Sequence, residues 1–403
     1  MASTSTTDAA AAIQTIWDKE VAPTFKQFTI LEKYANTKGF SKGVGDTWVK
    51  DRIVYPAKVS GTTAYGALKT FSDANALSVD KLTVSPVKLE DYFSFDDGVD
   101  LLSFITGGQW IEPVKIQMAR GLDAYFLSNV IMLQGMRFRV DRNPTYQFGF
   151  TATSGSTTTA VNTTLLNAAD NFYVGANVTG TARTGRNYGL TKKVTSSVQS
   201  TGTITMGAFP QAIASSSSMW LSLNTGISSS TLLDTTALFD ASLLHKRLGT
   251  PAYGNEFKYV LFADSFVERD LMRDTVWQNS GQYAEPGRFG KYEVMRIGAH
   301  EVVVASELRR EDTSGAATTA IGSSTVFLSP SIGKGAFSMI PWGQGEGAFG
   351  VKWYVVDQPD SGNLTASKRA VSWKAHAGAV VEDSTSCIIL AHGATTNGLG
   401  VIV

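Results

Sequence analysis

The hydrophobic period changes several times along the chain, and each change marks a candidate element. Ile13, Ile16, Trp17 and Val21 recur at helical spacing behind Asp8, which suits an N-cap, and Pro23 ends or kinks that helix. A second helical piece with Phe25, Phe28 and Leu31 runs toward Tyr34 and closes at Gly39, Gly43 and Gly45. Residues 1–45 thus read as an arm that needs a partner surface. Trp48 to Tyr55 predicts a strand stopped by Pro56. Lys81 to Phe95 alternates, with Leu82, Val84, Val87 and Leu89 set against Lys81, Thr83, Lys88 and Glu90. The Gly-, Ala- and Ser-rich passage between these strands makes 46–95 a long two-stranded excursion. From Asp96 the period turns helical: Ile111, Val114, Met118, Leu122, Tyr125 and Leu133 share a face, with Pro113 in the first turn and Asp96 and Asp97 as caps. This predicts the longest helix of the chain, within 96–142.

Residues 143–230 change character. Ser, Thr, Gly and Ala dominate, while Asn171–Val174 and Gly202–Met206 carry strand propensity between turn signals. The aromatic residues Phe148, Phe150, Phe172, Tyr173, Phe209 and Trp220 argue against disorder and for an inserted small β-rich module. A helix resumes at Leu232, Phe239 and Leu243, with His245-Lys246-Arg247 suited to its C-terminal dipole and Gly249-Thr250-Pro251 as its stop. Tyr259–Phe262 predicts a buried strand, Ser265 a cap for the helix Phe266–Met272, and Glu293–Ile297 and Glu301–Ala305 two more strands. The remainder is β-rich: Val326–Leu328, then Phe349, Val351, Trp353 and Val355 on one face, Ala370–Trp373, and Cys387–Leu390.

Composition narrows the chemistry. The 403 residues suffice for two or three domains at roughly 150 each. Lys and Arg total 35 and Asp and Glu total 35, so the zero net charge indicates no strongly basic nucleic-acid binder. Only 17% of residues are charged and 43% are hydrophobic, a balance that favours self-association. No stretch approaches the roughly 20 apolar residues of a membrane span, so no membrane partner is expected. Cys387 has no second cysteine to pair with and reads as a core thiol. His245, His300, His376 and His392 are scattered without metal-ligand spacing, so neither metal nor cofactor is expected. Gly345-x-Gly347-x-x-Gly350 leads into a strand, not the helix a dinucleotide loop must open. Acids at Glu90-Asp91, Asp96-Asp97 and Glu268-Arg269-Asp270 offer the pairs a glycosidase needs, against caps and a mixed-sign helix surface as the plain alternative. Arg137, Arg139, Arg142, Arg183, Arg186, Lys192 and Lys193 read as solvated loop charges.

An arm, a long excursion and a long helix bury little by themselves, and describe a subunit whose projecting parts lie across neighbouring copies. The chain resembles the major capsid proteins of tailed bacteriophages with the Hong Kong 97-like fold, and among them the coliphage N4-type capsid family. The resemblance rests on Tyr65-Gly66-Ala67-Leu68, the run Leu89-Glu90-Asp91-Tyr92-Phe93-Ser94-Phe95-Asp96-Asp97, the run Phe266 to Asp274, Gly290 to Gly298, and the strand Val302 to Ala305. It implies an α+β fold with an N-terminal arm (1–45), an extended loop (46–95), a spine helix and peripheral domain (96–142), the inserted module (143–230), an axial domain (231–345) and peripheral-domain strands (346–403). It also implies a non-enzymatic virion protein, made in the host cytoplasm. Its partners would be itself, in hexamers and pentamers, then scaffold, portal and decoration proteins, and double-stranded DNA held without sequence specificity. Ile13, Trp17, Trp48, Tyr65 and Phe93, with Glu268, Arg269 and Asp270, are the expected intersubunit contacts, because aromatic anchors on projecting elements dominate interface energy. A phage or cell-surface binding or decoration protein that works through the β-rich module is the alternative. A carbohydrate-active enzyme using Glu90, Glu268 and Asp270 is a third reading.

Overall fold

The structure is a computed structural model that describes residues 30–37, 47–53, 79–96, 107–167, 169–182, 185–215, 217–254, 259–276, 296–305, 308–341, 351–356 and 368–396. The helix expected over Ile13–Val21 and the excursion around Tyr65 lie outside these residues. Contacts divide the chain into two units, Met1–Val49, Thr83–Leu127 and Ser338–Val380 in the first, and Lys50–Leu82, Ser128–Phe337 and Val381–Val403 in the second.

In chain order, Leu31–Lys33, at the end of the helix expected toward Tyr34, form a 3₁₀ turn, with Phe25 and Phe28 outside the described residues, and β1 (Asn36–Thr37) follows. The alternating runs become β2 (Trp48–Ile53), β3 (Val79–Val84) and β4 (Val87–Asp96), with β2 and β3 paired as a two-stranded sheet. Helix α1 (Gly107–Phe126) begins well after β4, so Asp96 ends a strand instead of opening this helix, and Pro113 falls in the second turn. Asp97 lies outside the described residues.

A π turn, Leu127–Ile131, and a last α turn, Met132–Gln134, continue α1. In an unbroken α-helix the buried stripe of Met118, Leu122 and Phe126 would continue at 129 and 133. The wider π turn moves it to Ile131 and Met132, both fully buried, and leaves Leu133 40% exposed, which corrects the expected face.

β5 (Met136–Arg139) is followed by β6 (Gln147–Thr151), β7 (Ser154–Gly155), β8 (Thr159–Val161), β9 (Asn177–Gly180), β10 (Thr191–Val198), β11 (Thr203–Met206) and β12 (Ser218–Ser222). Asn171–Val174, expected to be a strand, forms a turn in which Asn171 takes a left-handed φ of 61°. Its aromatics serve packing instead, with the Phe172 and Tyr173 rings edge to face at 5.1 Å. Then come α2 (Thr235–Leu248), β13 (Tyr259–Ala263), α3 (Ser265–Arg273), β14 (Arg296–Ile297) and β15 (His300–Val304). The chain continues through β16 (Arg310–Glu311), β17 (Ala317–Thr318), β18 (Val326–Ile332), β19 (Phe337–Pro341), β20 (Val351–Val356), β21 (Lys368–Val381) and β22 (Cys387–His392).

The first unit is organised on β21. β4 runs antiparallel to it from Lys368↔Asp96 to Ala377↔Val87, β20 from Val351↔Ala375 to Val356↔Ala370, and β1 lies parallel to β19. Val84, Ile340 and Val380 form an apolar cluster with Trp48 packed against it. Asp123 of α1 accepts the Ile30 and Leu31 amides at 2.6 and 3.3 Å, which fixes the turn around the buried Leu31.

The second unit holds two sheets. Seven strands in the order β6-β12-β9-β10-β11-β8-β7 enclose a core of Phe150, Val178, Ile204, Met219 and Leu221. The eight-stranded sheet runs β14-β15-β13-β18-β16-β17, with β22 antiparallel to β18 and β5 parallel to β22. Leu238 and Ala241 of α2 and Phe266 and Leu271 of α3 join Leu261, Phe327 and Leu390 of that sheet in one core. α2 is capped by Asp234, which accepts the Ala237 amide at 2.7 Å, and it stops at Gly249 with a left-handed φ of 71°. α3 is capped by Asp264, not Ser265: its carboxylate accepts the Phe266 amide at 3.1 Å and an Arg310 N–H at 2.9 Å, and Ser265 opens the helix.

Candidate functional site

β5 buries all four of its residues, so Arg137 and Arg139 are not solvated loop charges. A buried guanidinium needs partners for its charge and its N–H groups. Arg137 pairs with Glu311 at 3.2 Å, and Glu311 also accepts from Asn224 at 2.7 Å and Arg309 at 3.0 Å. Burial would raise the Glu311 carboxyl, yet Arg137 and Arg309 hold it below its ordinary value. Arg139 forks onto Asp141 at 2.9 and 2.5 Å, donates to the Leu223 and Thr225 carbonyls, and lies 4.8 Å from the Tyr146 ring centre. Trp220 of β12 donates its indole N–H to the Arg137 carbonyl at 3.0 Å. These contacts tie the seven-stranded sheet to the eight-stranded one. The signal in the sequence was the Met-Arg-Phe-Arg alternation, a strand pattern with cations on one face. Of the other basic residues, Arg186 pairs with Asp80, Arg142 with Asp240, and Lys193 donates to the Gly315 carbonyl.

The expected contact residues fare differently. Ile13, Trp17 and Tyr65 lie outside the described residues. Phe93 stands in β4 opposite Val371. Trp48 packs inside the first unit. On α3, Asp270 is buried and accepts the Thr395 amide at 2.7 Å, which makes it an intrachain brace. Arg269 lies over the Phe266 ring, and Glu268 is partly exposed, its carboxyl raised by burial. Glu90 pairs with Lys88, whose hydrogen bond holds the carboxyl low, the wrong direction for a glycosidase acid. It lines an open cleft of about 480 Å³ with Asp91, Tyr92, Ser372, Trp373 and Lys374. Cys387 is fully buried, and burial together with Asp383 pushes its thiol up, away from a nucleophile.

Two exposed surfaces stand out. In β4, Tyr92 is 70% exposed among Lys88, Glu90 and Lys374. On α2, Phe239 and Leu243, two of the apolar positions that mark this helix in the sequence, are 52% and 55% exposed. The buried stripe is Ala237, Leu238, Ala241, Ser242 and His245, with Leu238 and the two alanines packed into the core of the eight-stranded sheet. The Phe239 ring edge rests on Gly298, whose φ of 58° and lack of a side chain leave it room: a Cβ there would come within 2.8 Å. A helix apolar on two faces has one face for its own core and one for a partner.

Three of the four histidines are buried. His392 bonds Ser329 at 2.9 Å, and His245 and His300, scattered in sequence, meet at Ser331. His245 is therefore no solvated cation at the end of α2. Among the described residues no group of three or more His, Cys, Asp or Glu side chains is placed to hold a metal ion, and no helix is long and apolar enough to cross a membrane.

No protein-family model matches the sequence, and no curated protein matches it. Solved structures do. The capsid of Ralstonia phage GP4 aligns with a TM-score of 0.51 at 12% identity, covering 91% of this chain and 91% of that one. The capsid asymmetric unit of cyanophage Pam1 aligns with a TM-score of 0.51 at 12% identity over 93% of each chain. The capsid of cyanophage P-SCSP1u aligns with a TM-score of 0.50 at 12% identity, over 91% of this chain and 89% of that one. The likeness is one of fold: the chain has the α+β fold of Hong Kong 97-like phage capsids.

Proposed function

We propose that the chain is a major capsid protein, a non-enzymatic subunit that assembles with copies of itself into the head of a tailed bacteriophage and resides in the virion. The observation that carries this reading is the end-to-end fold match, which leaves less than a tenth of this chain outside the GP4 capsid alignment. The exposed Phe239–Leu243 face of α2 supports it, since a self-associating subunit must present apolar area to its neighbour. In this reading, 1–45 is the arm, 46–95 the extended loop, 96–142 the spine helix and peripheral domain, 143–230 an insertion, 231–345 the axial domain and 346–403 peripheral strands. The subunits form hexamers and pentamers around double-stranded DNA, and scaffold, portal and decoration proteins are further partners. N4-type kinship belongs to the same proposal and rests on the quoted runs around Leu89–Asp97 and Phe266–Asp274.

Negative-stain electron microscopy and sedimentation of the purified full chain test this. Shells, or rings of five and six copies, are expected. A chain that remains monomeric, alone and when co-expressed with the other head proteins of its phage, overturns the reading. Small closed oligomers with a free seven-stranded module would favour a decoration protein.

A further inference from the structure

His245 of α2 and His300 of β15 meet across Ser331 of β18, and counting donors fixes where every proton sits. Ser242 donates to the Leu238 carbonyl at 3.0 Å, the backbone bond usual for a helical serine, which spends its one hydrogen. Its 3.3 Å contact with His300 Nδ1 therefore makes Nδ1–H the donor. His300 Nε2 is then a bare acceptor, and the Ser331 hydroxyl donates to it at 2.8 Å. Ser331 has no second hydrogen, so at 2.9 Å it accepts from His245 Nε2–H. His245 Nδ1 is left bare and without a partner. The chain of bonds has one polarity, from His245 through Ser331, His300 and Ser242 to a backbone carbonyl, and it exists only with both imidazoles neutral.

An added proton breaks it at either ring. On His300 Nε2 it forces the Ser331 hydrogen around to meet His245 Nε2–H. On His245 Nδ1 it meets no acceptor. Both rings and Ser331 have no exposed surface, so the new charge has no water to turn to. Among the described residues the titratable groups facing the pair are the rings themselves and Tyr259, stacked on His245 at 4.3 Å and tilted 5.8 Å from His300. Among the described residues no carboxylate shifts either ring.

We propose that this serine-bridged histidine pair is an acid-release lock, holding α2, β15 and β18 together at neutral pH and letting go on acidification. The burial that isolates the rings also pushes both below the ordinary value of 6.5, His300 to about 4, and on His245 burial and His300 outweigh the opposing hydrogen bond of the Ser331 backbone. Ser242 and His245 lie on the helix that presents Phe239 and Leu243, so release reaches that face. A consequence for assembly rests on the capsid reading; the lock itself does not.

The test uses the full chain, dissociated, with ¹⁵N-labelled histidine. Long-range ¹H–¹⁵N correlation at pH 7.5 is expected to show one Nε2–H and one Nδ1–H tautomer, assigned with His245→Gln and His300→Gln, and both rings uncharged to below pH 5. Acid unfolding followed by near-ultraviolet circular dichroism is expected to shift down by about one pH unit in His300→Gln, whose amide does not titrate. Like tautomers on both rings, protonation of either above pH 6, or an unchanged midpoint overturns the lock. Should His300→Gln not fold, the wild-type titration decides alone. Assembly is read separately by sedimentation, so a chain that stays monomeric alone and when co-expressed with the other head proteins, yet shows the correct tautomer pair, would fail the capsid reading and leave the lock standing.

Discussion

The two units bury polar groups by opposite means. The second unit matches each buried charge with a counter-charge, as Arg137 with Glu311 and Arg139 with Asp141, and keeps its buried imidazoles neutral. Among the described residues the first unit buries Asp123 without a cation and offers it two backbone amides. Burial wins over those amides, with Glu32 adding to it, and the Asp123 carboxyl is raised from 3.8 to about 7. A matched charge is costly to break and indifferent to mild acid. A lone carboxylate and a neutral imidazole both respond to pH, with opposite signs.

The largest effect is expected where a matched charge loses its partner. Arg139→Ala strips Asp141 and the Leu223 and Thr225 carbonyls of their donors, and about 3–5 kcal/mol of the second unit's stability should go. Urea unfolding measures it. A loss below about 1 kcal/mol would show that β5 does not join the two sheets.

Acidification should separate the units. His300 and His392 titrate at about 4 in the fold against 6.5 when unfolded, so their contribution is whole above pH 6.5 and drains away as pH falls to about 4. Asp123 has the reverse sign: its raised value favours the fold below about 4, and that advantage is lost as pH rises through about 7. Calorimetry at pH 7.5 and 5.0 should move the second unit's transition down and the first unit's up, by about 2–4 °C for each kcal/mol. Transitions that move together would break the contrast.

Asp123 sharpens it further. At pH 5, Asp123→Ala should cost the first unit about 1–3 kcal/mol, because the Ile30 and Leu31 amides lose their acceptor. Asp123→Asn keeps an acceptor oxygen without the buried charge, and at pH 8 it should match or exceed the parent in urea unfolding while flattening the first unit's pH response.

The units also differ in how much of them could be read from the chain. Lys81 to Glu90 alternates because Leu82 and Val84 of β3 are buried and Val87 and Leu89 of β4 half-buried, while Lys81, Thr83, Lys88 and Glu90 are exposed, and that local pattern suffices to place both strands. Gly249 stops α2 by a rule that acts within a turn. What escaped depends on partners far along the chain. Arg137 looks solvated until Glu311 stands beside it, and His245 looks like a dipole cation until Ser331 and Tyr259 enclose it. The π turn of α1 escaped because one added residue per turn shifts a stripe without altering composition, which is why Leu133 faces outward and Met132 inward. The candidate surface was hidden for a related reason: α2 carries apolar residues on two faces, and periodicity alone does not say whether Leu238 or Phe239 and Leu243 meet the sheet.

That choice yields the smallest expected change in stability and the most direct test of assembly. Leu243 is more than half exposed, so Leu243→Asp removes little intrachain packing, and the dissociated chain should keep its unfolding midpoint to within about 0.5 kcal/mol. A carboxylate set into an apolar contact between copies is desolvated without a cation, a penalty that repeats at every copy of a closed ring. Sedimentation should therefore show a folded chain that no longer assembles, whereas Leu243→Met, which keeps apolar volume, should assemble as the parent does. If Leu243→Asp still forms shells or rings, the outer face of α2 is solvent-facing in the assembly, and the copies must meet through other elements such as the Tyr92 face of β4.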